Sequence, residues 1–294
     1  MSARLAAVRM IAREPERLAD FYVDAFGFAR VPTRDDPARL AALFGVARVE
    51  SVTLRLGTQE LMLVGTTPHG RPYPDGTDAA DTLFQHIALV VPDMAAAMRR
   101  LEAVGGFRPI SDGPQVLPPN TGGVTAYKFR DPEGHPLELL QFPPGGAPPA
   151  WTEMPPGATC LGYDHSAIVV MDTAASIAFY ERLGFVQRGG SLNTGREQER
   201  LDAVPGARVE VTALGSRPRP PHLELLAYGP GTRCTGCADV DVAATQLVLA
   251  LPDAAAFRAV LTDLGAAPVD PGSGALVRDP DGHRLVLHSP ESAP

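Results

Sequence analysis

The chain carries an internal repeat, and this repeat restricts the possible folds more than any other feature of the sequence. Residues 21–28 (FYVDAFGF) resemble residues 179–185 (FYERLGF), and residues 130–135 (RDPEGH) resemble residues 278–283 (RDPDGH). Self-similarity of this kind predicts a fold built from copies of one supersecondary unit. Against the repeat, two histidines and two glutamates stand out: His86, Glu138, His165 and Glu224. Two imidazoles and two carboxylates, if the fold brings them together, would suit a divalent transition metal.

Length and composition indicate a globular protein of about two domains. The 294 residues allow roughly two domains of about 150 residues each, and 45% hydrophobic residues let each half bury a core. The net charge of -8 argues against a nucleic-acid partner, which would require a basic surface. No apolar run reaches the roughly 18 residues of a membrane span, and residues 1–9 do not resemble a signal peptide. We therefore expect a cytoplasmic protein with neither a nucleic-acid nor a membrane partner, and these properties leave open whether it is a monomer or a homodimer.

The three cysteines give no strong signal. Cys234 and Cys237 have the spacing of a metal clip or a redox pair, but the second pair that a structural zinc site needs is missing. We expect these two residues and Cys160 to be reduced thiols.

A Pro/Gly-rich segment at residues 143–159 (PPGGAPPAWTEMPPGAT) divides the chain near its midpoint. Such a composition does not support a regular element, so we interpret it as a linker. This interpretation predicts a first domain at residues 1–142 and a second at residues 160–294.

Each half divides again into two modules with the same order of elements. In module one, a short strand at residues 6–11 precedes a helix at residues 14–26, with Gly27 as its C-cap, and strands follow at residues 49–56 and 60–64. Module two begins with a strand at residue 86 and ends at residue 142. Module three spans residues 163–228 and module four spans residues 245–289. The chain therefore reads as an α+β fold of four βαβββ modules, and it lacks the Gly-rich phosphate loop of a Rossmann fold.

This arrangement resembles the vicinal oxygen chelate superfamily, which includes glyoxalase I, extradiol dioxygenases, methylmalonyl-CoA epimerase and the fosfomycin- and bleomycin-resistance proteins. The resemblance rests on the two repeated motifs and on the strands that carry the four outstanding residues, and it covers nearly the whole chain. It implies the glyoxalase/dioxygenase fold, in which βαβββ modules pair to form two cup-shaped half-barrels. It implies fold and metal-site position more specifically than reaction.

The resemblance also implies a ligand set, because each family module supplies one ligand from its first strand and one from its last. Module two would supply His86 and Glu138, and module three would supply His165 and Glu224. The matching positions are Ala7 and Met62 in module one and Gln246 and Val286 in module four, and alanine, methionine and valine cannot serve as ligands of a hard metal. A single site for one divalent metal (Fe, Mn, Ni, Co or Zn) then forms only if module two pairs with module three across the linker. Modules one and four would form a second cup that has lost its ligands.

Simpler interpretations of these residues remain open. Either histidine alone could be a structural residue, and either glutamate could face solvent from an edge strand. However, each glutamate lies between two leucines, and a carboxylate facing inward from such a strand needs a cation or a strong hydrogen-bonding partner. His222, two residues before Glu224, could support the site or lie exposed at a strand end.

A two-histidine, two-glutamate site predicts Lewis-acid chemistry: isomerisation, epimerisation or lysis of a small oxygenated substrate. Glu224 is the candidate base, with Glu138 as the alternative. A second hypothesis is an extradiol-type Fe(II) dioxygenase using His86, His165 and Glu138. Lys128 occupies the position of the family's acid–base tyrosine, which weakens that hypothesis; its side chain could pair with an anionic or enolic substrate, or face solvent. A third hypothesis is a non-catalytic binding protein of the antibiotic-resistance type.

Overall fold

The computed structural model describes residues 2–33, 35–153, 155, 157–217, 219–268 and 274–288. Module one contains β1 (Arg4–Ile11), α1 (Pro15–Phe26), β2 (Ala29–Val31), α2 (Pro37–Phe44), β3 (Arg48–Leu56) and β4 (Gln59–Thr67). Module two contains β5 (His86–Val90), α3 (Met94–Val104), β6 (Arg108–Pro109), β7 (Gln115–Val116), β8 (Thr125–Arg130) and β9 (Pro136–Gln141). Module three contains β10 (Gly162–Val169), α4 (Thr173–Arg182), β11 (Val186–Thr194), α5 (Arg196–Asp202), β12 (Arg208–Gly215) and β13 (His222–Ala227). Module four contains β14 (Gln246–Ala250), α6 (Ala254–Leu264), β15 (Ala275–Arg278) and β16 (Arg284–His288).

The strands form two sheets, and each sheet draws on both halves of the chain. One sheet has the order β15-β16-β14-β1-β4-β3-β2, so it joins module four to module one. The other has the order β11-β12-β13-β10-β5-β9-β8-β6, with β7 paired to β8, and it joins module three to module two. This is the pairing that a single two-histidine, two-glutamate site requires. We call the concave side of the second sheet the inner cup and that of the first sheet the outer cup. Each sheet combines strands from before and after the linker, so the sheets do not divide the chain at residues 142 and 160. These domain boundaries stay a prediction.

The first helices of modules two, three and four each begin at an aspartate that caps the helix. Asp93, Asp172 and Asp253 each accept a hydrogen bond from a backbone N–H in the first turn of α3, α4 and α6, which satisfies a donor that the helix itself leaves unpaired. Gly27 ends α1 in the left-handed conformation at φ 79°, as the sequence predicts. None of the helices within the described ranges is long and apolar enough to cross a bilayer.

The two repeated motifs bind each other, which explains why they recur together. The Tyr22 hydroxyl of α1 donates to Asp131 Oδ2 at 3.1 Å, and the Tyr180 hydroxyl of α4 donates to Asp279 Oδ2 at the same distance. Thus each aromatic helix of modules one and three is tied to the Asp-Pro turn of the following module. All four side chains are buried, so these are hydrogen bonds to carboxylates shielded from water.

One continuous core lies on the side of the sheets away from the cups. It takes side chains from both sheets and from α1, α3, α4 and α6. Leu137, Leu139, Leu223 and Leu225 belong to this core. Since neighbouring side chains in a strand point to opposite faces, Glu138 and Glu224 are directed to the other side, into the inner cup.

Candidate metal centre in the inner cup

The four outstanding residues lie on four adjacent strands at the centre of the nine-stranded sheet. β5 and β10 are antiparallel neighbours, with His86 opposite Ala167 and His165 opposite Ala88. On the outer side of each, a parallel strand supplies a glutamate: Glu138 is level with Ala88, and Glu224 is level with Ala167. The alanines leave room beside each imidazole.

The side chains form a compact cluster. His86 Nε2 lies 3.2 Å from Glu138 Oε2, and His165 Nε2 lies 3.4 Å from Glu224 Oε2. The two imidazole rings are 5.9 Å apart between centroids. One ligand atom each from His86, Glu138 and His165 lie within 4.8 Å of one another. The structure therefore brings all four sequence-predicted residues into one cup.

This donor set fits a divalent transition metal. Ligands at about 2.1 Å from a metal are separated by roughly 3.0–3.4 Å from their neighbours in octahedral or tetrahedral geometry, close to the observed nitrogen–oxygen distances. The side chains of His86, Glu138 and His165 are nearly inaccessible to solvent, and the side chain of Glu224 is 20% exposed. Burying two carboxylates in an apolar sheet favours a compensating cation.

The charged groups of the cluster shift one another's pKa values. Burial disfavours the charged imidazolium of His165, but the carboxylates of Glu224 and Asp164 outweigh it and raise the pKa of His165 to about 9. Burial similarly opposes ionisation of Glu224, yet His165 and His222 lower its pKa to about 2. His86 differs, because burial dominates and lowers its pKa. A metal would replace the proton on His165 as the partner of these carboxylates.

A β-bulge adds a third carboxylate to the cup. The register of β10 against β5 shifts between Tyr163 and His165, so the intervening Asp164 is re-aimed. Asp164 Oδ2 lies 3.3 Å from His165 Nδ1, which leaves Nε2 of the same ring directed at the cluster. A carboxylate on the second ring nitrogen fixes the orientation of a metal-binding histidine.

Trp151, from the linker, holds Asp164 in place. Its indole Nε1–H donates to Asp164 Oδ1 at 2.7 Å, and the ring is buried. The indole packs over Gly162, where an added Cβ would come within 2.8 Å of two ring carbons. A linker residue thus reaches the cluster through one carboxylate.

His222 lies at the rim of the cluster. Its Nε2 is 3.3 Å from Glu224 Oε1, and its Nδ1 is 3.7 Å from Asp164 Oδ2. Its side chain is 26% exposed. Of the two sequence-based interpretations of His222, the structure favours the one in which this residue supports Glu224.

Lys128 is buried, which makes the solvent-facing interpretation wrong. Its Nζ lies 2.7 Å from Asp202 Oδ1 and 3.8 Å from Glu138 Oε2. Burial opposes its charge, but the carboxylates of Asp202 and Glu138 outweigh that effect and raise the pKa of Lys128. The neighbouring Tyr127 points into the core and stacks on Phe129, as strand alternation predicts.

The outer cup repeats the geometry without the ligands. Gln246 lies opposite Arg9 as His86 lies opposite Ala167, and Met62 is level with Arg9 as Glu224 is level with Ala167. The buried guanidinium of Arg9 donates to Gln246 Oε1 at 3.2 Å and to Asp35 Oδ2 at 3.0 Å. An arginine therefore supplies a fixed positive charge in this cup.

A cavity of about 230 Å³ opens over the inner-cup cluster. Its polar wall includes the four predicted ligands, Asp164 and Lys128, and its apolar wall includes Leu117, Val124, Leu140, Phe142, Val209 and Leu226. A volume below the roughly 300–1,000 Å³ of drug-sized pockets suits a small molecule. The cavity therefore combines metal-type donors with a wall of aliphatic and aromatic side chains.

Paired βαβββ modules with a histidine–glutamate cluster in one cup define the class of this protein, the glyoxalase/dioxygenase fold. The chain belongs to the Glyoxalase/Bleomycin resistance protein/Dioxygenase superfamily, whose family model matches residues 4–139 and 162–287. This confirms the resemblance that the sequence motifs indicate.

Solved structures show the same fold over the full chain. Glyoxalase I from Zea mays is 17% identical and superposes with a TM-score of 0.66, covering 99% of this chain and 94% of the maize chain. A putative dioxygenase from Bacillus subtilis subsp. subtilis str. 168 is 14% identical with a TM-score of 0.58, covering 98% of this chain and 85% of the other. A search of curated protein sequences gave no match.

Three residues of the site are absent from the sequence-based predictions: Trp151, Asp164 and Asp202. Asp164 directly precedes His165, and regular strand alternation would direct it away from the cup. Only the bulge reverses that direction, and the sequence gives no clear signal for it. Trp151, the only tryptophan of the chain, was a possible signal within a linker that otherwise consists mainly of proline, glycine and alanine.

Proposed function

We propose that the inner cup binds one divalent transition metal through His86, Glu138, His165 and Glu224, and that the protein isomerises, epimerises or lyses a small oxygenated substrate. The observation that carries this proposal is the position of the four donors. They lie at equivalent positions of two paired modules and line one cavity, whereas the equivalent positions of the outer cup carry no such set.

The residues of the cup suit distinct tasks in such a reaction. The bound metal would act as a Lewis acid on a substrate oxygen. Glu224 is the better candidate base, because its side chain is the more exposed of the two glutamates and its second oxygen faces His222. Glu138 is fully enclosed between His86 and Lys128, which favours a fixed ligand role.

Metal content is the first test, with a matched pair of variants. Glu224→Ala removes a proposed ligand, while Met62→Ala truncates the equivalent position of the outer cup. Mass spectrometry of tag-free protein purified without chelator should find about one transition metal per chain in the wild type and in Met62→Ala, and much less in Glu224→Ala. Equal metal content in all three proteins, or no metal after reconstitution, would contradict the proposal.

The base assignment has its own test. Glu224→Gln keeps the size of the side chain and one potential ligand oxygen, but it cannot accept a proton. It should retain part of its metal while turnover, or exchange of substrate hydrogen with solvent, falls by at least the roughly 100-fold typical of a lost general base. Full turnover in this variant would transfer the role to Glu138.

An Fe(II) dioxygenase is the second candidate, and one observation favours it. His86, Glu138 and His165 alone form a compact two-histidine, one-carboxylate group, while Glu224 lies at its margin. This is the donor set of non-haem iron oxygenases. Iron that persists in Glu224→Ala, together with oxygen consumption on a catechol, would support the dioxygenase. Turnover of any substrate would exclude a purely binding protein.

A further inference from the structure

The ion pair between Lys128 and Asp202 determines the charge of the inner cavity. Within the described part of the chain, Lys128 is the only lysine or arginine among the residues that line this cavity. Three carboxylates share the lining with it: Glu138, Asp164 and Glu224. The fate of the Lys128 charge therefore decides whether the cavity can accept a negatively charged molecule.

Asp202 holds this charge by a contact that a substrate would have to displace. Asp202 is fully buried at the end of α5, and its Oδ1 accepts from Lys128 Nζ at 2.7 Å. Its Oδ2 accepts from Gln198 Nε2 at 2.6 Å and from the Tyr228 hydroxyl at 2.9 Å. Three donors therefore fix the carboxylate, and it cannot swing away to release the ammonium.

The remaining lining of the cavity offers an anion little compensation. Outside the charged cluster, the lining consists of apolar side chains and of neutral polar residues such as Ser191 and Asn193. A carboxylate on the body of a substrate would lose its hydration there. The cavity presents three carboxylates, and its basic side chains are already in contact with acidic partners: Lys128 with Asp202, and His165 with Asp164 and Glu224. Desolvation of an unpaired charge is unfavourable, and so is its proximity to like charges.

We propose that the inner cup selects substrates whose body is uncharged, and that Asp202 is the residue that determines this specificity by cancelling the charge of Lys128. The inference rests on the proposed function for the reacting oxygens, which would bind at the metal. The inference adds the chemical class of the rest of the substrate, which is a small, mainly apolar molecule without a carboxylate, phosphate or peptide tail.

The test compares two catechol probes of similar size, one uncharged and one anionic. 3,4-Dihydroxyacetophenone and 3,4-dihydroxybenzoate have nearly the same size and the same pair of adjacent oxygens, but the second carries a carboxylate. Their dissociation constants are measured at pH 7 by calorimetry with the Zn²⁺-loaded and the metal-free protein. The wild type should bind the uncharged probe at least tenfold more tightly, because Lys128 is paired with Asp202 and the three carboxylates of the lining oppose the positive charge of a bound metal or of His165.

Two variants assign the preference to the ion pair. Asp202→Asn keeps the shape of the side chain and releases the Lys128 charge, so the preference should fall by at least tenfold or reverse. The double variant Lys128→Met/Asp202→Asn removes both charges, leaves their sum unchanged and should retain the wild-type preference. If Asp202→Asn does not fold, the double variant still tests the inference, since a lost preference there would overturn it.

The outcomes separate this inference from the proposed function. Equal or tighter binding of the benzoate by the wild type would overturn the inference, as would an unchanged preference in Asp202→Asn or no binding of the uncharged probe to the metal-loaded protein. Zinc content is measured on the same samples. A protein that binds no zinc contradicts the proposed function, while the ratio of the two dissociation constants without metal still tests the charge of the cavity.

Discussion

Replacing Trp151 by phenylalanine should weaken metal binding although the residue lies in the linker and is not a proposed ligand. The variant keeps an aromatic ring over Gly162 but removes the 2.7 Å hydrogen bond from the indole to Asp164. A hydrogen bond to a charged, buried acceptor contributes about 1.5–3 kcal/mol. Asp164 would then be less firmly held against Nδ1 of His165. Losing such an outer partner of a metal-binding histidine typically lowers metal affinity about 10–100-fold.

The matched control is Tyr180→Phe, which removes a buried hydroxyl donating to Asp279 outside the inner cup. Both variants should lose a comparable free energy of unfolding in urea, followed by circular dichroism because Trp151 is the only fluorescent indole. Only Trp151→Phe should raise the dissociation constant for Zn²⁺, measured by competition with a chromogenic chelator. If both variants bind zinc within threefold of the wild type, the linker does not support the site and the reasoning is refuted.

Three further predictions concern stability. Tyr22→Phe leaves the buried Asp131 carboxylate with one donor fewer, and urea denaturation should show a loss of about 1–3 kcal/mol. Both ring nitrogens of His135 face acceptors, Asp131 Oδ2 and the Ile11 carbonyl; burial opposes the charge, but Asp131 outweighs it and raises the pKa of His135. Protonated His135 stabilises the folded state fully at pH values below its pKa in the unfolded chain, about 6.5, and this stabilisation is lost as the pH rises through its higher pKa in the folded protein. His135→Gln should therefore show a smaller decline of the unfolding free energy as the pH rises through this range. Removing the metal should lower the free energy of unfolding by about 4 kcal/mol when the free metal concentration is about 1,000 times the dissociation constant. Thermal unfolding with and without chelator measures this loss, and an unchanged midpoint would argue against the site.

Much of the fold was accessible from the sequence because the repeats mark it. The helix that Gly27 ends and the turn that contains Asp131 each recur at equivalent positions. Between them, the pattern places β3, β4, β5 and β8 within about three residues of their bounds, whereas the short strands β2, β6 and β7 were not predicted. The short helices α2 and α5 were not predicted. The seven-residue α5 has no side-chain N-cap, so its formation depends on tertiary contacts such as the hydrogen bond from the Ser111 hydroxyl to the Leu201 carbonyl.

The candidate site was predicted only as far as it lies in regular strands. His86, Glu138, His165 and Glu224 follow the alternation of their strands, so their shared face could be inferred. Asp164 depends on a bulge and Asp202 on a helix that the sequence does not announce. The burial of Lys128 follows from Asp202, a residue 74 positions away, and single-sequence reasoning had no means of pairing the two.

The inner cup forms between modules two and three, which lie on opposite sides of the linker and could have been two separate molecules. A cut in the chain within residues 143–159 would make assembly of the inner cup a bimolecular reaction, which depends on protein concentration. An intact covalent connection holds its two ends at an effective concentration of the order of millimolar, and dilution cannot lower that value. In this chain Trp151 also anchors the linker to β10 through Asp164. The linker therefore keeps the two halves of the cup together at any protein concentration in the cell.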